Sequence, residues 1–133
     1  MKAAWVLAAL LVAVLPAWAQ APCPRASEVG QAHMLGLWRA QFEGAVHAGT
    51  LLIEKHALYA ESFSGTINRD GKRSLLAGDV EDGELTLEES RDGKRISATL
   101  LGEVVDGSCG REIRGTWTAE GDAKAHPFVL RKP

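Results

Sequence analysis

The chain has 133 residues, of which 46% are hydrophobic and 24% are charged, and its formal net charge is −2. This length predicts one domain with a modest core. The 17 acidic and 15 basic residues are mixed along the chain, which argues against a nucleic-acid-binding protein, because that class presents a basic face.

Residues 1–19 have the pattern of a signal peptide. Lys2 supplies a positive start, an unbroken apolar run extends from Ala3 to Leu15, and Ala17-Trp18-Ala19 fits the small-x-small rule for cleavage. The apolar run is short for a membrane span, which needs about 20 residues. We therefore expect cleavage after Ala19 and a periplasmic or secreted chain without a membrane span. The alternative is a retained anchor helix.

Residues 20–35 are predicted to form an N-terminal arm, and Ala26 to His33 within it is compatible with a short helix. The chain contains only two cysteines, Cys23 and Cys109. In an oxidising compartment such a pair predicts one disulfide, which would tie the arm to a late strand. A redox-active pair is a weaker alternative, because there is no Cys-x-x-Cys motif.

Residues 36–133 are predicted to form strands joined by tight turns. Four Asp-Gly pairs begin at Asp70, Asp82, Asp92 and Asp106, and Asp-Gly is favoured in hairpin turns that need positive φ at both central residues. Alternating apolar and polar residues between the turns predict half-buried strands. The eight predicted strands are Gly36 to Phe42, Gly49 to Lys55, Glu61 to Asn68, Arg73 to Val80, Glu84 to Ser90, Arg95 to Val105, Gly110 to Ala119 and His126 to Arg131.

This pattern predicts an all-β fold, a single eight-stranded antiparallel up-and-down (meander) barrel behind the arm. Short links favour pairing of consecutive strands, and closure removes exposed edges; an open or sandwiched sheet is the alternative. Successive turns should alternate between the two ends, so that Asp70 and Asp92 share one end. The turns at Asp82 and Asp106 should share the other end with Cys109 and the longer link from Ala57 to Ala60, where a functional mouth is expected. Glycines within strands are expected to mark bends, at Gly65, Gly78, Gly102 and Gly115.

Two short motifs carry a family resemblance. Gly36-Leu37-Trp38 opens the first predicted strand, and Gly115-Thr116-Trp117 lies on the seventh. A Gly-x-Trp on the first strand resembles the opening motif of the lipocalin and avidin group of barrels, and this resemblance implies the fold of a small eight-stranded barrel. The chain is also similar in size and layout to small periplasmic inhibitors of metalloproteases, which use an arm ahead of a barrel.

Aromatic side chains at a barrel mouth are candidates for ligand contact. Trp117 is predicted either to line a pocket or to pack in the core. Small inward residues are expected to leave a cavity beside it. Trp38 is predicted to plug one end beneath a stacked arginine, Arg114 or Arg131. The full set of ligand-binding candidates is Trp117, Tyr59, Phe63, Glu89 and Arg111.

Two of those candidates are charged. Glu89 shares its parity with Leu85 and Leu87, so strict alternation points it inward, where a carboxylate needs a partner such as Arg95 or Arg111. The alternative places Glu89 in water at the open end. Arg111 could bind an anionic ligand at the rim or form a surface ion pair.

No catalytic constellation stands out. The four histidines lie on separate segments without metal-ligand spacing, and no serine lies in a nucleophile elbow. We therefore predict no enzyme, no metal and no cofactor. The expected function is an exported non-catalytic binding protein that holds a small hydrophobic ligand or peptide at one barrel mouth. The alternative is a periplasmic protease inhibitor that acts on an extracytoplasmic protein through the arm.

Overall fold

The computed structural model describes residues 11–14 and 23–133. The predicted cleavage site and most of the predicted signal peptide lie outside the described residues. Within the described residues, no helix has the length and apolar character needed to cross a membrane.

Eight antiparallel strands form one closed barrel in which each strand pairs with its neighbour in sequence and β8 pairs with β1. The predicted meander barrel is confirmed, and the open or sandwiched sheet was wrong. The strands are β1 (Gly36–Phe42), β2 (Gly49–Lys55), β3 (Phe63–Arg69), β4 (Lys72–Glu81), β5 (Glu84–Ser90), β6 (Ala98–Val104), β7 (Glu112–Ala119) and β8 (His126–Arg131).

The arm is not one helix. A 3₁₀ turn spans Ala26–Glu28 and a short helix, α1, spans Gln31–Met34. Val29 between them is extended, with φ −67° and ψ 119°, and this turns its side chain into the core, where only 2% of the residue is exposed. Burial of one apolar side chain therefore interrupts the helix-compatible stretch.

The links between strands lie at two ends, as the alternation of hairpins requires. We call the end with residues 56–62, 82–83 and 105–111 the arm end, and the end with residues 43–48, 70–71, 91–97 and 120–125 the far end. Cys23 and Cys109 form the predicted disulfide, which joins the arm to the 105–111 loop. The strand order confirms the predicted placement of the four Asp-Gly pairs and of the link from Ala57 to Ala60 at the two ends.

Only two of the four Asp-Gly pairs form two-residue turns. Asp70 and Asp82 have φ of 51° and 50°, and a positive-φ glycine follows each of them. The pairs at Asp92 and Asp106 lie within longer loops. The Asp92 carboxylate accepts hydrogen bonds from the backbone N–H groups of Lys94 and Arg95, which takes these residues out of the ladder. This is why β6 begins at Ala98 and not, as predicted, at Arg95.

Side chains fill the barrel interior as one continuous apolar cluster. At two inward glycines the neighbouring strand comes very close. A Cβ atom on Gly65 or Gly115 would overlap the backbone carbonyl of Leu52 or Leu101 on the neighbouring strand. Close approach of a neighbouring backbone is one of the roles of glycine within strands, and the bends at these glycines stay a prediction.

The arm closes the arm end of the barrel. Met34 is 1% exposed, and its carbonyl oxygen accepts a 2.7 Å hydrogen bond from Trp38 Nε1. Gln31 Nε2 donates to the carbonyl oxygens of Ala60 and Ser62 in the adjacent link. The described part of the arm, from Cys23 onward, lies at the arm end, where the disulfide and these hydrogen bonds hold it.

Candidate functional site

An ion pair lies inside the far end of the barrel. Arg69 is the last residue of β3 and Glu89 lies near the end of β5, and both follow the inward parity of their strands. Arg69 Nη2 donates to Glu89 Oε2 at 2.6 Å, with side-chain exposures of 26% and 8%. Charges this deep are retained only with a partner, so each side chain fixes the other.

Aromatic rings surround the guanidinium of Arg69. Its Cζ atom lies 3.8 Å from the centroid of the Phe42 ring and 5.3 Å from that of Trp117, and cation–π attraction strengthens where water is excluded. Burial lowers the pKa of Arg69 from its usual value, and the Glu89 carboxylate opposes that shift. The carboxylate therefore supports the charged guanidinium among apolar neighbours.

Trp117 lies at the centre of the aromatic contacts. Its ring meets Phe42 edge-on, with centroids 6.0 Å apart and planes at 87°, and it stacks on His126 at 5.0 Å. His126 Nε2 lies 3.8 Å from a carboxylate oxygen of Asp122. We name the set of Phe42, Arg69, Glu89, Trp117 and His126 the far-end cluster.

Two donors in the far-end cluster have no acceptor. Arg69 Nε and Trp117 Nε1 are buried, and neither makes a hydrogen bond within the described residues. A buried donor without a partner costs about 1–3 kcal/mol. Two such groups in one cluster form an arrangement that an oxygen acceptor would stabilise.

The predicted site residues do not converge on one place. Trp117 and Glu89 belong to the far-end cluster. Phe63 is fully buried below the arm end, and Tyr59 is 64% exposed in the 56–62 link, where it stacks on His56. Whether any of them binds a ligand stays a prediction.

Two expected partnerships differ in the structure. Glu89 does point inward, but its partner is Arg69 instead of Arg95 or Arg111. Arg111 lies at the arm end, where its Nη2 donates to the carbonyl oxygen of Pro133 at 2.6 Å. It therefore helps to hold the C-terminus.

The cation over Trp38 is a lysine, not the predicted arginine. Lys132 Nζ lies 5.7 Å from the ring centroid and donates to the carbonyl oxygens of His33 and Leu35 at 2.9 and 2.7 Å. Burial, followed by the charge of Arg111, lowers the pKa of Lys132. The C-terminal segment thus ties down the arm.

An open groove of about 910 Å³ lies beside the arm, between the 56–62 link and the β4–β5 hairpin. This is the end where the sequence predicted a functional mouth. The groove has an acidic lining that suits an apolar ligand poorly. Its carboxylates are Glu61, Asp79, Glu81, Asp82 and Glu84.

Sequence reasoning missed Arg69, although a signal was present. Arg69 shares the inward parity of Phe63 and Ile67 and immediately precedes the Asp70-Gly71 turn. Ending the strand at Asn68 removed it from consideration, whereas β3 includes it. Extending the predicted strand by one residue, to Arg69, would have identified the partner of Glu89.

Among the described residues, no group of three or more His, Cys, Asp and Glu side chains is arranged to hold a metal ion.

At the level of fold, the closed eight-stranded meander is consistent with the lipocalin and avidin group of barrels. No protein-family model matches the chain, and no curated protein matches it significantly.

Proposed function

We propose that this protein is an exported, non-catalytic binding protein that holds a small ligand at the far end of the barrel. The supporting observation is the pair of buried, unpartnered donors, Arg69 Nε and Trp117 Nε1. The signal-peptide pattern of residues 1–19 and the disulfide support export, since disulfides persist in oxidising compartments.

The chemistry of the far-end cluster defines the ligand class. The ligand needs an oxygen acceptor, a carboxylate or a carbonyl, that accepts from the two donors. It also needs a small apolar body that packs beside the Trp117 and His126 rings. Arg69 is 26% exposed, so we expect the ligand to enter from the rim, with its oxygen atom reaching inward to the two buried donors.

Octanoate is a suitable probe, because it joins a carboxylate to a short apolar chain. We expect the indole N–H resonance of Trp117 to move on addition of octanoate, while that of Trp38, already bonded to Met34, stays in place. Octyl trimethylammonium, which carries the same chain without an acceptor, is the matched control and should move neither resonance.

The titration should extend to about 10 mM, beyond the range of a site with a millimolar dissociation constant. A Trp117 resonance that stays fixed throughout would overturn the proposal. So would an equal response to the cationic control, because the donors would then play no part.

Protease inhibition through the arm stays a prediction. Val29 and Met34 are buried, and the disulfide fixes Cys23, so the described part of the arm serves the barrel end. The far-end cluster therefore supports ligand binding better than the arm supports inhibition.

A further inference from the structure

A row of exposed leucines crosses the outer wall of the barrel. Leu37, Leu52 and Leu75 are 48%, 45% and 49% exposed. In the sheet register Leu37 lies opposite Leu52, Leu52 opposite Thr66, and Thr66 opposite Leu75. We name these four residues of β1 to β4 the leucine row; it spans roughly 14 Å at ordinary strand spacing.

Charged groups of opposite sign flank the leucine row. The row toward the far end contains two arginines, and in register order it is Arg39, Thr50, Asn68 and Arg73. The row toward the arm end contains two glutamates, and in register order it is Glu54, Ser64, Ala77 and Glu88. Each lies about 7 Å from the leucine row along the strands.

These four charged side chains are exposed. None of them takes part in an ion pair within the part of the chain that the structure describes. We call these three rows together the wall. The wall has an apolar centre, with two unpaired arginines on the side toward the far end and two unpaired glutamates on the side toward the arm end.

We propose that this wall binds a second copy of the chain through a two-fold axis that runs along the leucine row. Rotation about that axis reverses the strand direction and lays the arginine border of each copy over the glutamate border of the other. Arg39 on β1 then lies one strand away from Glu54 of the second copy, and Arg73 on β4 lies one strand away from Glu88, a sideways offset of about 5 Å that these long side chains can span. A two-fold contact repeats each of these pairs.

The charge pattern selects both this orientation and this partner. A two-fold axis parallel to the strands would place the arginine borders against each other, which costs free energy. An anionic membrane surface would be repelled by the glutamate border, and a cationic partner by the arginine border. A reversed copy of the same wall complements both borders and covers the leucines.

The size of the wall sets the expected affinity. Three rows on five strands cover about 19 by 14 Å, and a barrel wall is convex, so the two copies together bury less than about 1,000 Å². Contacts of that size belong to transient complexes. We therefore expect a dimer whose population depends on protein concentration.

Leu52→Asp tests the contact, because Leu52 lies on the axis and two carboxylates would face each other. Leu101→Asp is the matched control: Leu101 is 54% exposed and lies on β6, outside the wall. In sedimentation from about 10 µM to about 1 mM, wild type and Leu101→Asp should dimerise. Leu52→Asp should raise the dissociation constant at least tenfold, about 1.4 kcal/mol, with unchanged thermal unfolding.

A charge exchange tests the orientation. Arg39→Glu should weaken the dimer, and Arg39→Glu combined with Glu54→Arg should restore it. A wild type that stays monomeric at about 1 mM would overturn the proposal, even if the wall bound lipid vesicles instead. Equal dissociation by Leu52→Asp and Leu101→Asp, or failure of the charge exchange to restore dimers, would also overturn it.

Discussion

The guanidinium of Arg69 and the carboxylate of Glu89 meet at 2.6 Å inside the barrel, although β4 lies between their strands. The pair occupies the far end of an otherwise apolar interior and stacks on Phe42. At this end of the barrel, the ion pair therefore occupies the position that apolar side chains occupy in the rest of the core. Arg69 Nε takes no part in the ion pair and stays available as a hydrogen-bond donor.

Removing one member of this pair should destabilise the fold. In Glu89→Ala the guanidinium loses its counter-charge among aromatic rings, and loss of a partner from a fully buried pair costs about 3–5 kcal/mol. Arg69 is 26% exposed, so water offsets part of this, and we expect a loss of about 1–3 kcal/mol in urea unfolding.

An apolar replacement of the whole pair provides the control. Arg69→Met combined with Glu89→Leu removes both charges, so it should recover most of the lost stability. A double variant that is no more stable than Glu89→Ala would contradict the view that an uncompensated charge causes the loss.

The disulfide should hold the arm on the barrel. Cys23 and Cys109 are 86 residues apart, and a cross-link over so long a loop stabilises by about 4 kcal/mol in chain-entropy terms. Cys23→Ser with Cys109→Ser should lower the urea midpoint and increase amide exchange most at Val29 and Met34. Uniform protection of the arm in the double variant would show that packing alone holds it.

Gly115 should tolerate no side chain. A Cβ atom there would overlap the backbone carbonyl of Leu101, and backbone gives way at greater cost than a side-chain end. Gly115→Ala should cost about 1–3 kcal/mol in thermal or urea unfolding. Gly30→Ala is the control, because nothing lies within 4 Å of the added atom; equal losses in the two variants would contradict the steric explanation.

Glu112 should make stability depend on pH in the acid range. Hydrogen bonds from Arg131 and then Arg114 lower the pKa of Glu112 from its ordinary value of 4.5. Its ionised form is therefore favoured in the folded state. The resulting stabilisation is present above about pH 4.5 and is lost as the pH falls through the lower folded value.

Glu112→Gln should therefore reduce the free energy of unfolding most near neutral pH. The difference from wild type should shrink as the pH falls below about 4.5. Urea unfolding at several pH values measures this difference. A difference that is constant with pH would indicate lost packing instead of a lost charge interaction.

Local patterns in the sequence determined most of the strands. Alternation and Asp-Gly turns depend on neighbouring residues, so they predicted the meander and the grouping of turns at two ends. Strict alternation also indicated the inward orientation of Glu89, as one of two alternatives. The pair of cysteines, in a chain that begins with a signal-peptide pattern, predicted the disulfide. Two predicted strand boundaries differ from the structure. Asp92 holds Lys94 and Arg95 in a loop, so β6 begins later, and β3 continues for one more residue, to Arg69.

Only the tertiary structure decided which inward side chains meet. Arg69 contacts Glu89 across an intervening strand. Lys132, which is almost 100 residues away from Trp38 and the arm in the sequence, contacts both of them. These contacts depend on how strongly the closed sheet coils and on how the arm packs over one end. Contacts between residues far apart in the sequence produce no repeating pattern, whereas the alternation of inward and outward residues along a strand repeats every two residues.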